Sequence, residues 1–285
     1  MRARERRGRV IVPRPTVTGP AGEPYPAGVA ANVPHPARMY DYYLGGKDNF
    51  EADRIAAEKA MSVVPDARNL AMTNREFMVR AVRAMTASGI DQFIDIGSGF
   101  PTTPNVHEAA PDARVVYVDN DPVVVSHNQA LRTGSELLSI HGDLRVPQAI
   151  LDDPALNEKI DFSRPVGILL IAVLHFVTEA DGPHDILRVI RERTAPGSMM
   201  AISHLTSDGT PLAVIRTQQE VYANATAPIV FRTTGEIESL FRDMQLLEPG
   251  VVPLTQWRPE LRSTHATTTL KWVGGVSRME TSDVK

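Results

Sequence analysis

The spacing of apolar positions changes along the chain, and the changes outline a fold. Residues 92–96, 114–118, 137–141, 166–173 and 199–203 are short, nearly continuous apolar runs. Runs of this length without alternation predict strands buried on both faces, as in a parallel sheet. Helical stretches separate them: about 104–110, a helix opening at Asp121-Pro122, 181–194, and later 211–224 and 233–244. Asp121 suits an N-cap and Pro122 the first helical position. Strand and helix alternating in this way predict an α/β, doubly wound, Rossmann-like sheet. Two further runs, 246–253 and 267–273, follow with no helix between them and predict an antiparallel terminal hairpin. The expected sheet is therefore seven-stranded and mostly parallel.

The first third of the chain reads differently. Residues 51–61 predict a helix, and Phe77, Met78, Val82 and Met85 recur at helical spacing. Thr73-Asn74-Arg75-Glu76 resembles a capping box and is expected to open that second helix, with Ser88-Gly89 closing it. Between Ala37 and Phe50 the chain packs three tyrosines, several charges and the pair Gly45-Gly46. One reading is a plain amphipathic helix and turn docked on the domain. The other is a lid whose tyrosines and Asp41 line a pocket. Before that, Arg2, Arg4, Arg6, Arg7 and Arg9 crowd the start and five prolines follow up to Pro26, with almost no large apolar residue. Such a segment buries too little surface to offset its ordering entropy. The expected organisation is a disordered basic and proline-rich tail over 1–31, a helical lid segment over 32–89, the sheet domain over 90–278, and a flexible end over 279–285.

Composition narrows the chemistry. The chain has 285 residues, 42% of them hydrophobic, and a formal net charge of −4. That supports a real core and argues against a dedicated nucleic-acid binder, which carries a basic face. The absence of cysteine removes disulfides, thiolate catalysis and cysteine metal sites. No His, Asp and Glu spacing suits a metal, and none is expected. No apolar run reaches the ~20 residues of a membrane span, and no apolar segment follows the basic start, so the default expectation is a cytoplasmic protein.

Candidate chemistry concentrates at the end of the first strand, Asp95-Ile96-Gly97-Ser98-Gly99. Two glycines one residue apart let the backbone turn sharply and approach a ligand. Asp119 ends the second strand, where a carboxylate can accept from both hydroxyls of a ribose. Asp143 follows the third strand, where it can accept from an exocyclic amine or serve as a loop cap. A dinucleotide site would require a third glycine, yet Thr102 stands in that place and Pro101 lies within the turn. Asp95 suits a different ligand, since it can hold the ammonium of an amino-acid moiety.

These residues, with Leu174-His175 after the fourth strand and the terminal hairpin, resemble a class I S-adenosylmethionine-dependent methyltransferase over about residues 90–275. Residues 39–50, Asn105-Val106-His107-Glu108, Val118-Asp119-Asn120-Asp121-Pro122-Val123 and Gly142-Asp143-Leu144-Arg145 are similar to a narrower group. This is the actinobacterial S-adenosyl methyltransferase family once classed as a domain of unknown function. The resemblance implies S-adenosyl-L-methionine as cofactor. It implies that Asp95, Gly97, Ser98 and Gly99 surround its methionine part and that Asp119 takes the ribose hydroxyls, with Asn120 beside the adenine. Asp143 and Leu144 would flank the adenine ring, and Ala172 and Val173 would offer backbone near the sulfonium. Residues 40–49 would be the lid.

Methyl transfer from a sulfonium is an in-line displacement with a neutral leaving group, so placement and exclusion of water are the main tasks. Tyr40 and Asp41 in the lid, and His175 after the fourth strand, are the candidates for contact with the acceptor. His204 is a further candidate base, His107 reads as a surface residue, and Trp257 and His265 could border an acceptor pocket. The expected acceptor is a small molecule, with no nucleic acid or membrane as partner. Two other readings stay open: an NAD(P)-dependent oxidoreductase, and a protein that binds the cofactor without catalysis.

Overall fold

β1 (Gln92–Ile96) lies inside a parallel sheet, paired with β2 (Arg114–Asp119) on one side and β4 (Gly167–Ile171) on the other. β3 (Leu137–His141) extends the sheet beyond β2, and β5 (Met199–Thr206) extends it beyond β4. The structure, a computed structural model, describes residues 29–131, 134–259 and 269–280. Among these the sheet runs in the order β3-β2-β1-β4-β5-β8-β6, where β6 is Gln245–Leu246 and β8 is Lys271–Arg278. β7 (Val252–Pro253) also pairs with β8. β8 runs antiparallel to β5, β6 and β7. The order reverses direction at β1 and β4, which puts the topological switch point directly above the Asp95–Gly99 turn.

The five parallel strands are the five apolar runs of the sequence. Side chains alternate along each strand, so each strand feeds two cores. Ile94, Ile96, Val116, Val118, Ile168 and Leu170 meet α6 (Pro147–Leu151), α7 (Pro154–Lys159) and α8 (Pro183–Arg193) on one face. Phe93, Val115, Leu169 and Ala201 meet α3 (Ala67–Ala87) through Phe77, Met78, Ala81 and Met85 on the other. A third cluster joins α1 (Pro36–Leu44) and α2 (Glu51–Met61) to α9 (Leu212–Tyr222), through Met39, Ala57, Val64, Leu70, Leu205 and Val221. The remaining helices are α4 (Val106–Ala109), α5 (Pro122–Leu131) and α10 (Thr234–Ser239).

Four sequence expectations are corrected here. Thr73-Asn74-Arg75-Glu76 does not open a helix. It lies inside α3, which starts at Ala67, and Thr73 and Asn74 are buried. The tetrad has capping-box chemistry, but the helix already begins after Pro65-Asp66 and its apolar stripe runs through Leu70 and Ala71. The run 246–253 is not one strand. Pro249 lacks a backbone N–H and Gly250 turns at φ +86°, so only its two ends pair with β8. β5 continues to Thr206, which puts His204 inside a strand rather than after it. Trp257 lies in the α3-side core, its ring 5.5 Å from Phe77 in an edge-on arrangement, and does not line the cavity at the carboxyl ends of the strands. His265 and the tail over 1–28 lie outside the described residues. Past β8, Met279 is buried and exchanges backbone hydrogen bonds with Gly197 and Ser198, at 2.8 and 2.7 Å.

One buried ion network fastens the N-terminal helices to the sheet domain. Arg38 of α1 is 2% exposed, and its Nε donates to Asp121 at 2.7 Å while Nη1 lies 3.6 Å from Asp53. Asp53 of α2 also accepts from the backbone N–H groups of His35 and Phe50, each at 2.8 Å. Asp121 caps α5 by accepting from Val123 N–H at 3.0 Å. A single guanidinium therefore holds α1, α2 and the start of α5 together. Burial lowers the His35 imidazole to about 4, and its Nδ1 accepts from Ala37 N–H at 3.2 Å. His35 is thus a neutral N-cap, not an ion-pair partner of Asp121.

Candidate functional site

The carboxyl ends of β1, β2 and β4 open into a cavity roofed by α1, α2 and α3. Its floor is built from the turn after β1. Gly97 and Ser98 donate their N–H groups to Val118 O at 2.8 and 3.1 Å, which folds the turn back over β2. Gly97 (φ +75°) and Gly99 (φ +62°) hold left-handed conformations that favour glycine. A Cβ on Gly97 would meet Val173 Cγ2 at 2.6 Å, whereas a Cβ on Gly99 would meet nothing within 4 Å. Gly97 therefore serves packing, and Gly99 leaves its backbone open to the cavity. Asn128 of α5 pins the turn by donating to Ser98 Oγ at 3.1 Å and to Gly99 O at 3.3 Å.

Asp119 closes this arrangement. Its Oδ2 accepts from Gly99 N–H at 2.8 Å and its Oδ1 from Asp121 N–H at 3.0 Å. A carboxylate offers about four acceptor sites, so one site remains on each oxygen, a pattern matched to two adjacent hydroxyls. Burial raises the Asp119 carboxyl to about 6, against the lowering effect of the two N–H donors. Asp95, Asn120, Asp143 and Leu144 line the same end of the cavity. Burial would raise the Asp143 carboxyl, but hydrogen bonds from Arg145, at 3.0 Å from Nε and 2.5 Å from Nη2, hold it below its usual range. Arg75 of α3 also lines the cavity, with Nη2 on the carbonyls of Thr102 and Pro104 and its Nε buried without a partner.

At the end of β4, Ala172 stands at φ +59°. A non-glycine residue there is held at a cost of order 1–3 kcal/mol and needs surrounding structure to keep it. A line of hydrogen bonds supplies that structure. Ala172 N–H donates to Ser203 Oγ at 2.9 Å, and Ser203 donates to Asn74 Oδ1 at 2.6 Å. Asn74 Nδ2 donates to Tyr40 Oη at 3.1 Å, and Tyr40 donates to Ala71 O at 3.0 Å. The line couples the roof helices to the backbone turn at the sheet edge. Asn74 and Ser203 carry no sequence signal for this role, because 129 residues separate them. Leaving a buried hydroxyl without its partner costs about 1–3 kcal/mol. Asn74→Leu, which strips both Ser203 and Tyr40, should therefore lower the unfolding free energy by about 2 kcal/mol. Tyr40→Phe should cost less than Asn74→Leu in the same urea titration, and the reverse order would break the proposed line.

The acceptor-contact candidates separate in the structure. Tyr40 and Tyr43 line the cavity, and Tyr40 is turned into the hydrogen-bonded line just described. Asp41 is corrected: it does not line the cavity. Its Oδ2 accepts from Asp48 N–H at 2.9 Å and Asn49 Nδ2 at 2.7 Å, inside the turn after α1. That turn leaves only 1.9 Å between Asp41 Oδ1 and a Cβ on Gly46, so Asp41 fixes the loop and Gly46 has to be glycine. His175 lines the cavity, is 2% exposed, and has an Nδ1 without a hydrogen-bond partner. Burial, together with His204 and Arg232, holds its pKa well below the usual imidazole range. His204 is buried away from the cavity, lowered to about 3 by burial. Its Nδ1 donates to Leu205 O at 2.7 Å and its Nε2 accepts from Arg232 at 2.8 Å, so both nitrogens are used. His107 packs on Tyr117, with 2.7 Å between Nδ1 and the phenol oxygen. Among the described residues no group of three His, Asp or Glu could hold a metal ion, and no helix is long and apolar enough to cross a membrane.

A doubly wound sheet with a terminal antiparallel strand, a glycine turn after β1 and an acid ending β2 defines a Rossmann-like nucleoside-binding protein of the class I methyltransferase type. α4 begins only at Val106, six residues beyond Phe100, so it points no N-terminus at the Gly97–Gly99 turn as a pyrophosphate site would require. The S-adenosyl methyltransferase family matches residues 23–280, and the chain belongs to that family. Its cofactor is S-adenosyl-L-methionine. A candidate methyltransferase from Thermobifida fusca YX is 39% identical, with 90% of this chain and 98% of that chain covered and a TM-score of 0.82. A DUF574 family protein from Streptomyces avermitilis MA-4680 is 37% identical, with 87% and 98% covered and a TM-score of 0.82. Among curated proteins no relative matches.

The residues present fit this cofactor. Asp119 keeps an acceptor site on each oxygen for the ribose, Gly99 leaves room for close approach, and Asp95 and Arg75 offer opposite charges for an ammonium and a carboxylate. Ribose hydroxyls donate best to an ionised carboxylate. Asp119 ionises at about 6 in the free protein, so cofactor affinity is expected to be flat above about pH 7 and to fall as pH drops through 6. Calorimetric titration with S-adenosylhomocysteine from pH 8 to pH 5 checks this. Asp119→Asn should remove the dependence together with most of the affinity.

Proposed function

We propose that the protein transfers the methyl group of S-adenosylmethionine to a small-molecule acceptor by in-line displacement, as a methyltransferase of class EC 2.1.1. The observation that carries this reading is a single cavity with two unlike ends. Its lining includes Asp95, Gly97, Ser98, Gly99, Asp119, Asn120, Asp143 and Leu144 at the carboxyl ends of the strands, and elsewhere uncharged, mostly apolar and aromatic side chains such as Ala60 of α2, Tyr222 of α9 and Trp272 of β8. The bound cofactor supplies an electrophilic methyl group on a positively charged sulfur. The chain's own residues do the rest. Asp119 orients the ribose, Asp95 and Arg75 bind the amino-acid part, and Asp143 and Leu144 border the adenine. Ala172 and Val173 line the same cavity at the end of β4 and would offer backbone near the sulfonium, and the Ser203-Asn74-Tyr40 line keeps Ala172 in place. Tyr40 is accordingly a positioning residue. His175, held neutral, can accept a hydrogen bond from the acceptor, and its lowered pKa makes it a positioning group rather than a strong base. The roof helices exclude water, which a displacement at a charged sulfur needs.

Incubation with methyl-labelled cofactor and a panel of neutral aromatic alcohols, amines and carboxylic acids tests the proposal. Label is expected in a low-mass product with the wild-type protein and not with Asp119→Ala. Saturable cofactor binding with no transfer to any member of the panel would favour a non-catalytic binding protein instead.

A further inference from the structure

The apolar end of the cavity has a definite chemistry. Its walls include Tyr43, Phe176, Leu205, Tyr222, Ile229 and Trp272. The aromatic rings form a connected set: Phe176 lies 5.4 Å from Tyr222 and 4.5 Å from His175, and His175 lies 5.9 Å from Trp272. Among the described residues the polar groups at this end are uncharged. Tyr43 and Tyr222 share a hydrogen bond of 3.2 Å, burial pushes Tyr222 up to about 12 and Tyr43 well above its usual value, and His175 is held neutral. Gln218 donates to Ala60 O at 3.0 Å. Two residues that line this cavity each carry a buried nitrogen with no protein partner, His175 Nδ1 and Trp272 Nε1, on rings whose centroids lie 5.9 Å apart. Buried polar atoms in native proteins nearly always have partners, and orphans at a cavity wall point to a ligand.

We infer that this end is an acceptor chamber for a neutral aromatic molecule carrying a hydroxyl group, which His175 Nδ1 and Trp272 Nε1 recognise together. The inference rests on the proposed methyl transfer and names the substrate class for it. An indole N–H only donates, so the ligand must offer an acceptor. A hydroxyl has one proton and two lone pairs, so it satisfies Trp272 with His175 in either tautomer. A carbonyl meets both nitrogens only if Nδ1 carries the proton. A carboxylate or ammonium would enter a largely apolar space where no charged side chain among the described residues stands to pair with it, at a large desolvation cost. A saturated chain would fill the space but leave both nitrogens orphaned and forgo the edge and face contacts of the aromatic walls.

Calorimetry on protein saturated with S-adenosylhomocysteine, using 2-naphthol, naphthalene and 2-naphthoate as probes, tests the assignment. 2-Naphthol is expected to bind one to one, about tenfold or more tighter than either other probe, the range one or two hydrogen bonds confer. Trp272→Phe should cost 2-naphthol about tenfold and leave naphthalene within about twofold. S-Adenosylhomocysteine affinity measured on the same variant shows that it is folded, and the wild-type probe series stands without any variant. Equal affinities for the three probes, tightest binding of 2-naphthoate, or an equal loss of naphthol and naphthalene in Trp272→Phe would overturn the assignment. No naphthyl binding to protein that does bind S-adenosylhomocysteine would overturn the chamber and leave the cofactor site standing. No binding of S-adenosylhomocysteine would overturn the reading beneath it.

Discussion

Asp119→Ala is expected to weaken S-adenosylhomocysteine binding by at least a hundredfold. Two charge-assisted hydrogen bonds to the ribose hydroxyls, at about 1.5 kcal/mol each, already amount to about that factor. The substitution also strips Gly99 N–H and Asp121 N–H of their acceptor, which loosens the turn that faces the cofactor. The protein itself should stay folded. The carboxyl is ionised against an opposing burial effect, as its rise to about 6 records. Because its folded pKa lies above the usual carboxylate value, the ionised group destabilises the ligand-free fold above about pH 6, and that effect fades as pH falls toward the unfolded value. Removing the group thus gives back stability near neutral pH that partly offsets the lost hydrogen bonds. A calorimetric titration beside a urea denaturation curve separates the two quantities: affinity should collapse while the denaturation midpoint moves little.

The second large effect is expected from Arg38→Met. The side chain keeps most of its volume but leaves Asp53 (0% exposed) and Asp121 (1% exposed) buried without their shared cation. Breaking a buried ion pair from one side costs about 3–5 kcal/mol. Burial already raises the Asp53 carboxyl against its hydrogen bonds and Arg38, and without Arg38 it should rise further. A carboxyl with a raised folded pKa binds its proton more tightly folded than unfolded, so the penalty of the variant should shrink as pH falls from 7 toward 4.5. Urea denaturation at the two pH values checks both the size and the direction. Since α1 and α2 depend on this guanidinium, limited proteolysis of the variant should also cut first between α1 and α3.

The sequence disclosed the sheet domain more fully than the roof. Of the first five strands, β1, β2, β4 and β5 are buried on both faces and the edge strand β3 is half-buried, so their apolar runs are local and legible, and the acids at or after the ends of β1, β2 and β3 fall at the sheet edge by topology alone. Asp119 could be read as a ribose ligand for that reason. The terminal strands were only partly legible. Glu248-Pro249-Gly250 interrupts the run 246–253, and long β8 takes both pieces as partners. The roof resisted reading because its chemistry is long-range. Tyr40, Asn74 and Ser203 become one hydrogen-bonded line only after α1, α3 and β5 converge. The Thr73–Glu76 capping pattern is local chemistry that the longer helix absorbs. Asp41 carries the same composition signal as Tyr40, but its side chain turns toward Asn49 and the Gly46 turn. Trp272 and Trp257 are indistinguishable by composition, and only packing puts one at the cavity and the other in the core.

The most direct measurement is the titration of the wild-type protein with S-adenosylhomocysteine and, separately, with NADH. A cavity built around Asp95, Gly99 and Asp119 predicts saturable one-to-one heat with S-adenosylhomocysteine and none with NADH. Silence with S-adenosylhomocysteine, or NADH binding that excludes it, would contradict the assignment of this site.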